Sequence, residues 1–138
     1  YEFAVRYQRG EMRLEILVHK SLRVETLRVR AQNTGLGVNG IMNMPNKGGI
    51  VAELLVEGTT ILSFCTAHLQ AHEGADNCSN RCRMISGILD GTADDSLVNV
   101  KYDTSIKSHV AFFLGDLNFR TQIDDYSKEE QRAKVDQW

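Results

Sequence analysis

The sequence lacks any long hydrophobic run, and nothing in it approaches the roughly 20 consecutive apolar residues that a helix needs to span a bilayer. It also lacks charge of one sign. The formal net charge is −2, so no global basic field draws nucleic acid or an anionic membrane surface. An anionic substrate would have to be met by a local cluster of donors. Proline occurs once, as Pro45, inside the glycine-rich stretch 33–49, which therefore reads as a loop. The three cysteines, Cys65, Cys78 and Cys82, are odd in number and not placed for a disulfide framework, which favours a reducing, cytoplasmic setting. There is no internal repeat, low-complexity tract or signal segment. The chain opens on Tyr1-Glu2-Phe3 without a methionine and closes inside a helical pattern, so it reads as a piece of something longer.

What is present suits one domain. With 138 residues, 42% of them hydrophobic and 25% charged, the chain can bury a real core and is too short to expect two. Residues 12–20 set Leu14, Ile16 and Val18 against Arg13, Glu15 and Leu17, the period of a half-buried strand. Residues 23–30 repeat the pattern less cleanly. Residues 50–56 and 60–69, divided by Glu57-Gly58-Thr59, make the clearest hairpin. The polar stretch 71–80 predicts a loop or a ragged helix start. Residues 81–89 place Met84, Ile85, Ile88 and Leu89 at helical spacing before Asp90-Gly91 stops them. Residues 92–107 read as a long polar surface connection, and 110–114 as a buried strand. Ser127-Lys128-Glu129-Glu130 fits a capping box that opens a last helix. Mostly antiparallel strands with interspersed helices predict a sheet-rich α/β layer system.

Four places invite chemistry. The apolar run to Leu114 ends in Gly115-Asp116-Leu117-Asn118-Phe119-Arg120. In α/β domains ligands are met at the carboxyl ends of strands. Asp116 and Asn118 stand two apart, so extended backbone would project them to one side. A carboxylate and an amide together can position a water and hold an oxyanion or a metal-bound phosphate, and Arg120 adds a cation. The alternative is a turn that these residue types simply cap. His68 ends a strand, where an imidazole donates to a phosphate oxygen or exchanges a proton, unless it merely bonds a carbonyl. In Asn46-Lys47-Gly48-Gly49, paired glycines let backbone amides approach a phosphate and Lys47 brings a point charge; the alternative is an ordinary turn. Finally, His68, His72, Cys78 and Cys82 lie in close order, as zinc ligands do. Against zinc, neither cysteine belongs to a short Cys-x-x-Cys knuckle, and small buried or loop cysteines account for both.

Taken in order, these blocks carry a resemblance. Asn46-Lys47-Gly48-Gly49-Ile50, then Ala67-His68-Leu69-Gln70-Ala71-His72-Glu73, then Asn80, then Gly115-Asp116-Leu117-Asn118-Phe119-Arg120 resemble the inositol polyphosphate 5-phosphatases. Those enzymes sit within the Mg-dependent endonuclease/exonuclease/phosphatase superfamily. The similarity runs from Met12 to Gln122 and weakly beyond. It implies that residues 1–138 are the central portion of one catalytic domain, part of a four-layer α/β/β/α sandwich with largely antiparallel mixed sheets. It implies removal of the 5-phosphate from inositol polyphosphates or phosphoinositides with Mg²⁺. Asp116 then matches the carboxylate that activates water, Asn118 the amide that steadies it, His68 the histidine on the scissile phosphate, and Asn80 a supporting asparagine. Lys47 matches a lysine facing substrate phosphates, with Arg120 beside it. The implied setting is cytoplasmic, with peripheral membrane contact through a lipid substrate and no nucleic-acid partner.

The departures are specific. The family's metal-binding asparagine and glutamate would precede Tyr1, and its later Trp-x-Asp-Arg and Ser-Asp-His blocks would follow Trp138, so this segment alone is expected to be inactive and supplies no complete metal set. Cys78-Ser79 stands where an arginine pair usually precedes Asn80. Glu53 replaces an arginine common in the family, and a carboxylate facing the substrate would repel phosphate. Two other readings stand beside the phosphatase: a nuclease of the same superfamily, and an interaction module that keeps the fold without the reaction.

Overall fold

The computed structural model describes residues 1–32, 46–90 and 104–120, together with position 129. The expected glycine-rich loop at 33–45, the connection at 92–103 and all but Glu129 of the capping box lie outside the described residues. The elements run β1 (Glu2–Arg9), β2 (Met12–Val18), β3 (Val24–Gln32), β4 (Gly48–Val56), β5 (Thr60–His68), α1 (Ala75–Asp90), α2 (Thr104–Lys107) and β6 (Val110–Asp116). β1 and β2 form an antiparallel two-stranded sheet, and a four-stranded sheet has the order β3-β4-β5-β6. Within the larger sheet β3/β4 and β4/β5 are antiparallel, while β5/β6 are parallel.

β4 is the pivot of the packing. Its residues Gly48 to Ala52 are all buried, because both faces of this strand are covered. One face carries Val51, which joins Cys65, Ala67 and Leu69 beneath Met84 and Ile88 of α1. The other carries Ala52 and Leu54, which pack with Val5 and are flanked by Tyr7, Leu14 and Ile16 from the β1–β2 sheet. The described residues thus form three layers, helix on sheet on sheet, an α/β architecture with mostly antiparallel strands. Three of the four layers expected from the resemblance are therefore in place.

Helix α1 begins at Ala75, six residues before the expected helical stretch 81–89. Its first turns are polar because they face solvent, and Asp76 complements the amino-terminal end of the dipole. The last turn has no basic residue of its own. Arg30 of β3 supplies one, its Nη2 donating to the Ile88 carbonyl at 2.6 Å. Burial, with Arg28 adding to it, pulls the Arg30 guanidinium down to about 10.

Two expectations need correction. The strand at the carboxyl side is present, as β6, but it is not buried: Val110, Phe112 and Leu114 are 45%, 43% and 55% exposed. β6 is the edge of its sheet among the described residues, and the β1–β2 hairpin lies over β3, β4 and β5 instead. Only Phe113, on the helix side, packs against the core, while Phe112 stacks on Phe64 with centroids 5.1 Å apart. The end of the expected surface connection is also ordered. Thr104–Lys107 is a short helix whose Thr104 is buried, tied to β5 by the Ser63–Ser108 hydroxyl pair.

Candidate active site at the carboxyl ends of β5 and β6

Parallel pairing of β5 and β6 brings their carboxyl ends to the same edge, with His68 opposite Asp116 in register. β4 runs the other way, so its first residue, Gly48, pairs with His68 from the opposite side. Lys47, one residue earlier, therefore arrives at the same edge. The sheet topology alone assembles a lysine, a histidine and a carboxylate. His68 shares a strand face with Thr66 and Phe64, and Asp116 with Leu114 and Phe112, which places both on the face toward the second sheet.

The distances are short. Lys47 Nζ lies 2.6 Å from His68 Nε2 and donates to the Leu69 carbonyl at 2.9 Å. His68 Nε2 is 3.5 Å from Asp116 Oδ2. An ammonium can only donate, so with Lys47 charged Nε2 is the acceptor and the ring carries its proton on Nδ1. Partial burial holds the Lys47 ammonium below the ordinary lysine range, an effect the Asp116 carboxylate partly offsets. The ammonium, the imidazole and the carboxylate therefore lie side by side at this edge, and the carboxylate end is open to solvent.

Asn118 reaches this cluster by a route other than strand alternation. β6 stops at Asp116, and Asn118 has φ 52°, so extended backbone does not bring the two side chains together. Instead the Asn118 amide donates to Asp116 Oδ1 at 3.2 Å, closing an Asx turn. Its side-chain Nδ2 donates to the Leu69 carbonyl at 3.1 Å. Arg120 Nη2 lies 3.4 Å from Asn118 Oδ1, a long contact on the exposed side. The Leu69 carbonyl thus receives both Lys47 and Asn118, while the Leu69 amide donates to the Asp116 carbonyl at 3.0 Å. Leu69, fully buried, is the main-chain hub of the site, which the sequence reading did not identify. A backbone carbonyl leaves no residue-type signal.

Not every expected residue joins. Asn80 sits on α1, where its Oδ1 accepts from Arg83, and it makes no hydrogen bond to Lys47, His68, Asp116 or Asn118. Gly48 and Gly49 open β4 and do not form a free phosphate-cradling loop. A Cβ on Gly49 would lie 2.9 Å from Ile88 of α1, and one on Gly48 would overlap the Gln32 carbonyl, so the pair serves close packing. Glu53 does not face the site. It shares the helix-covered face with Val51, where its charge acts on Arg30, so its repulsion of a substrate phosphate falls away. The zinc alternative is not assembled: among the described residues no three His, Cys, Asp or Glu side chains are grouped to hold a metal.

Arg81 is a residue the sequence reading passed over. It is 2% exposed, and its Nη1 donates to the carbonyls of Gln70 and His72 at 3.1 and 2.9 Å. The one signal available was its position three residues before Met84, on the apolar stripe of α1.

The metal question can be tested on donor chemistry. Mg²⁺ takes oxygen ligands, commonly one or two carboxylates with waters and substrate phosphate. The site offers the Asp116 carboxylate and the Asn118 amide oxygen, a partial oxygen set that does not by itself make a metal centre.

Residues 1–137 match the family model described as Endonuclease/Exonuclease/phosphatase family 2. No curated protein gives a significant match. Members of this superfamily are hydrolases of phosphoester bonds, of phosphatase or nuclease type, and commonly use divalent metals. The helix–sheet–sheet arrangement with mostly antiparallel strands is compatible with that match, and the chain belongs to the endonuclease/exonuclease/phosphatase family.

Proposed function

We propose that this chain is the phosphate-handling part of a phosphoric monoester hydrolase that removes the 5-phosphate from inositol polyphosphates or phosphoinositides. The observation that supports it most is the convergence of Lys47, His68, Asp116 and Asn118 on one sheet edge, with Arg120 beside them. Phosphoryl transfer asks mainly for positioning and for neutralisation of spread negative charge. Asp116 orients and deprotonates the attacking water. Asn118 steadies that water, and His68 meets the scissile phosphate. Lys47 and Arg120 face the remaining phosphates. Asn80 supports the site from α1. Mg²⁺, when bound, supplies charge neutralisation at the phosphate.

The substrate is small and anionic, met in the cytoplasm or at the cytosolic membrane face through a lipid head group, and nucleic acid is not a partner. The full-length protein should be assayed with a soluble inositol polyphosphate bearing a 5-phosphate, the matching phosphoinositide in vesicles, and a DNA oligonucleotide. Asp116→Ala is expected to lower turnover of the inositol substrates by at least the ~10²–10⁴-fold typical of general-base loss, with folding intact. Cleavage of the oligonucleotide alone would move the reading to a nuclease, and no hydrolysis of any of the three would favour an interaction module. Wild-type turnover by Asp116→Ala would make Asp116 a turn cap.

A further inference from the structure

A buried guanidinium needs a reason. Taking a cation out of water is costly unless it is paired, and an apolar residue of similar volume is often the more stabilising choice. Arg81 is 2% exposed on the sheet-facing side of α1, yet no carboxylate pairs with it among the described residues. Its Nε has no hydrogen-bond partner, and both recorded bonds of its Nη1 go to main-chain carbonyls, those of Gln70 and His72. If α1 only had to cover the sheet here, methionine would do it better. The guanidinium is spent on the backbone of the segment between β5 and α1.

That segment begins at the hub of the site. Leu69 receives Lys47 and Asn118 on its carbonyl and binds Asp116 through its amide. Gln70, held by Arg81, is the next residue. His72, also held by Arg81, has φ 79°, a left-handed conformation that a non-glycine residue keeps only where its surroundings fix it. The guanidinium carbon of Arg81 also lies 5.3 Å from the centroid of the Phe119 ring. Phe119 follows Asn118, whose own φ is 52°. One buried side chain therefore touches both of the turns that carry site residues: the one after His68 and the one after Asp116.

We propose that Arg81 is a positioning residue that locks the turn after His68 to the turn carrying Asn118, and so sets the distance between the imidazole and the Asp116–Asn118 pair. The proposal rests on the phosphoesterase reading of that site. Arg81 touches no substrate in this scheme; it acts through Leu69 and Asn118. Lysine cannot replace it, being shorter and lacking the planar group that lies against Phe119.

The test uses the full-length protein, three variants and Asp116→Ala as the control. Arg81→Lys keeps the charge, Arg81→Ala opens a guanidinium-shaped space, and Phe119→Leu removes the ring while leaving the carbonyl bonds. Misplacement by about 1 Å costs on the order of 10²-fold in rate. Arg81→Lys is therefore expected to lower kcat by ~10–100-fold on a 5-phosphorylated inositol polyphosphate, with KM changed by less than about threefold. Added guanidinium ion should restore part of the turnover of Arg81→Ala and none of that of Asp116→Ala. Phe119→Leu should fall between wild type and Arg81→Lys. Amide hydrogen exchange at residues 70–74 and 118 should quicken in both Arg81 variants, with exchange in β4 unchanged. Wild-type kcat in Arg81→Lys, or loss in Arg81→Ala that guanidinium does not relieve, would overturn the proposal. If the wild-type protein hydrolyses no phosphate ester, the functional reading fails on its own. The exchange pattern then decides on Arg81, and unaltered protection at 70–74 and 118 would refute it.

Discussion

Gly115→Ala should damage this protein strongly, and two separable effects say by how much. Gly115 has φ 120°, a conformation that an L side chain rarely adopts, and holding alanine there costs about 1–3 kcal/mol. A Cβ at this position would also lie 2.1 Å from the Ala67 carbonyl oxygen and 2.9 Å from its amide nitrogen. Both atoms are backbone of β5 and cannot swing aside. Relief requires β6 to move away from β5 by about an ångström, and overpacking of this kind adds roughly 1–3 kcal/mol. The sum, about 2–6 kcal/mol, is a large share of the ~5–15 kcal/mol that holds a typical domain together.

Gly74 provides the control, because it has φ 107° with nothing within 4 Å of its added Cβ. Gly74→Ala carries strain without overlap. Urea unfolding of the two variants and the wild-type protein therefore isolates the steric part as a difference. The same displacement opens the gap between His68 and Asp116, which face each other across these strands, so turnover should fall by about 10²-fold even where the variant is folded. If Gly115→Ala proved no less stable than Gly74→Ala, and kept its turnover, the close β5–β6 approach would not be what holds the site together.

Burial pushes the Cys65 thiol up to about 12, while Cys78 and Cys82 are exposed on α1. Two thiols per chain should react with a disulfide reagent in the native protein and the third only on unfolding; rapid labelling of all three would contradict the core placement of Cys65. The Lys47 ammonium is held below its ordinary range by burial, so above that lowered value the unfolded chain binds more protons than the folded one. Stability relative to Lys47→Met should therefore rise with pH through the window between the lowered value and the ordinary lysine value of 10.5, and a flat or falling difference in denaturation midpoints would refute this.

Much of the fold was legible because it rests on period. β2 alternates cleanly and was read at its true start, and the β4–β5 hairpin was plain from its turn. β1 was missed for an identifiable reason: a bulge between Phe3 and Val5 breaks the two-residue period in its first half. A second bulge, between Thr26 and Arg28, puts Leu27 in solvent and explains why β3 looked ragged. β6 was read as buried because Val110-Ala111-Phe112-Phe113-Leu114 is apolar throughout. Apolar composition records that both faces suit a covered position, and it cannot say whether a neighbour is there to cover them.

The site was legible in its residue types and illegible in its wiring. Asp116 and Asn118 were singled out by an alternation argument that the backbone does not obey, since Asn118 lies beyond the strand in a left-handed turn. Their meeting depends on an Asx turn, a local competition of side chain with backbone that the same residue types at the same spacing make possible. Glu53 shows the opposite failure. Its identity suggested repulsion of substrate, but face, not identity, decides what a strand residue meets, and one step of register separates the helix side from the site side. Arg81 is the furthest from reach. An arginine on an amphipathic helix reads as a solvated charge until its place on the apolar stripe is weighed against the desolvation it implies. A charge at a core position, with no acid beside it in sequence to pair with, marks a demand for backbone carbonyls, and in this chain those carbonyls belong to the turn that carries the site.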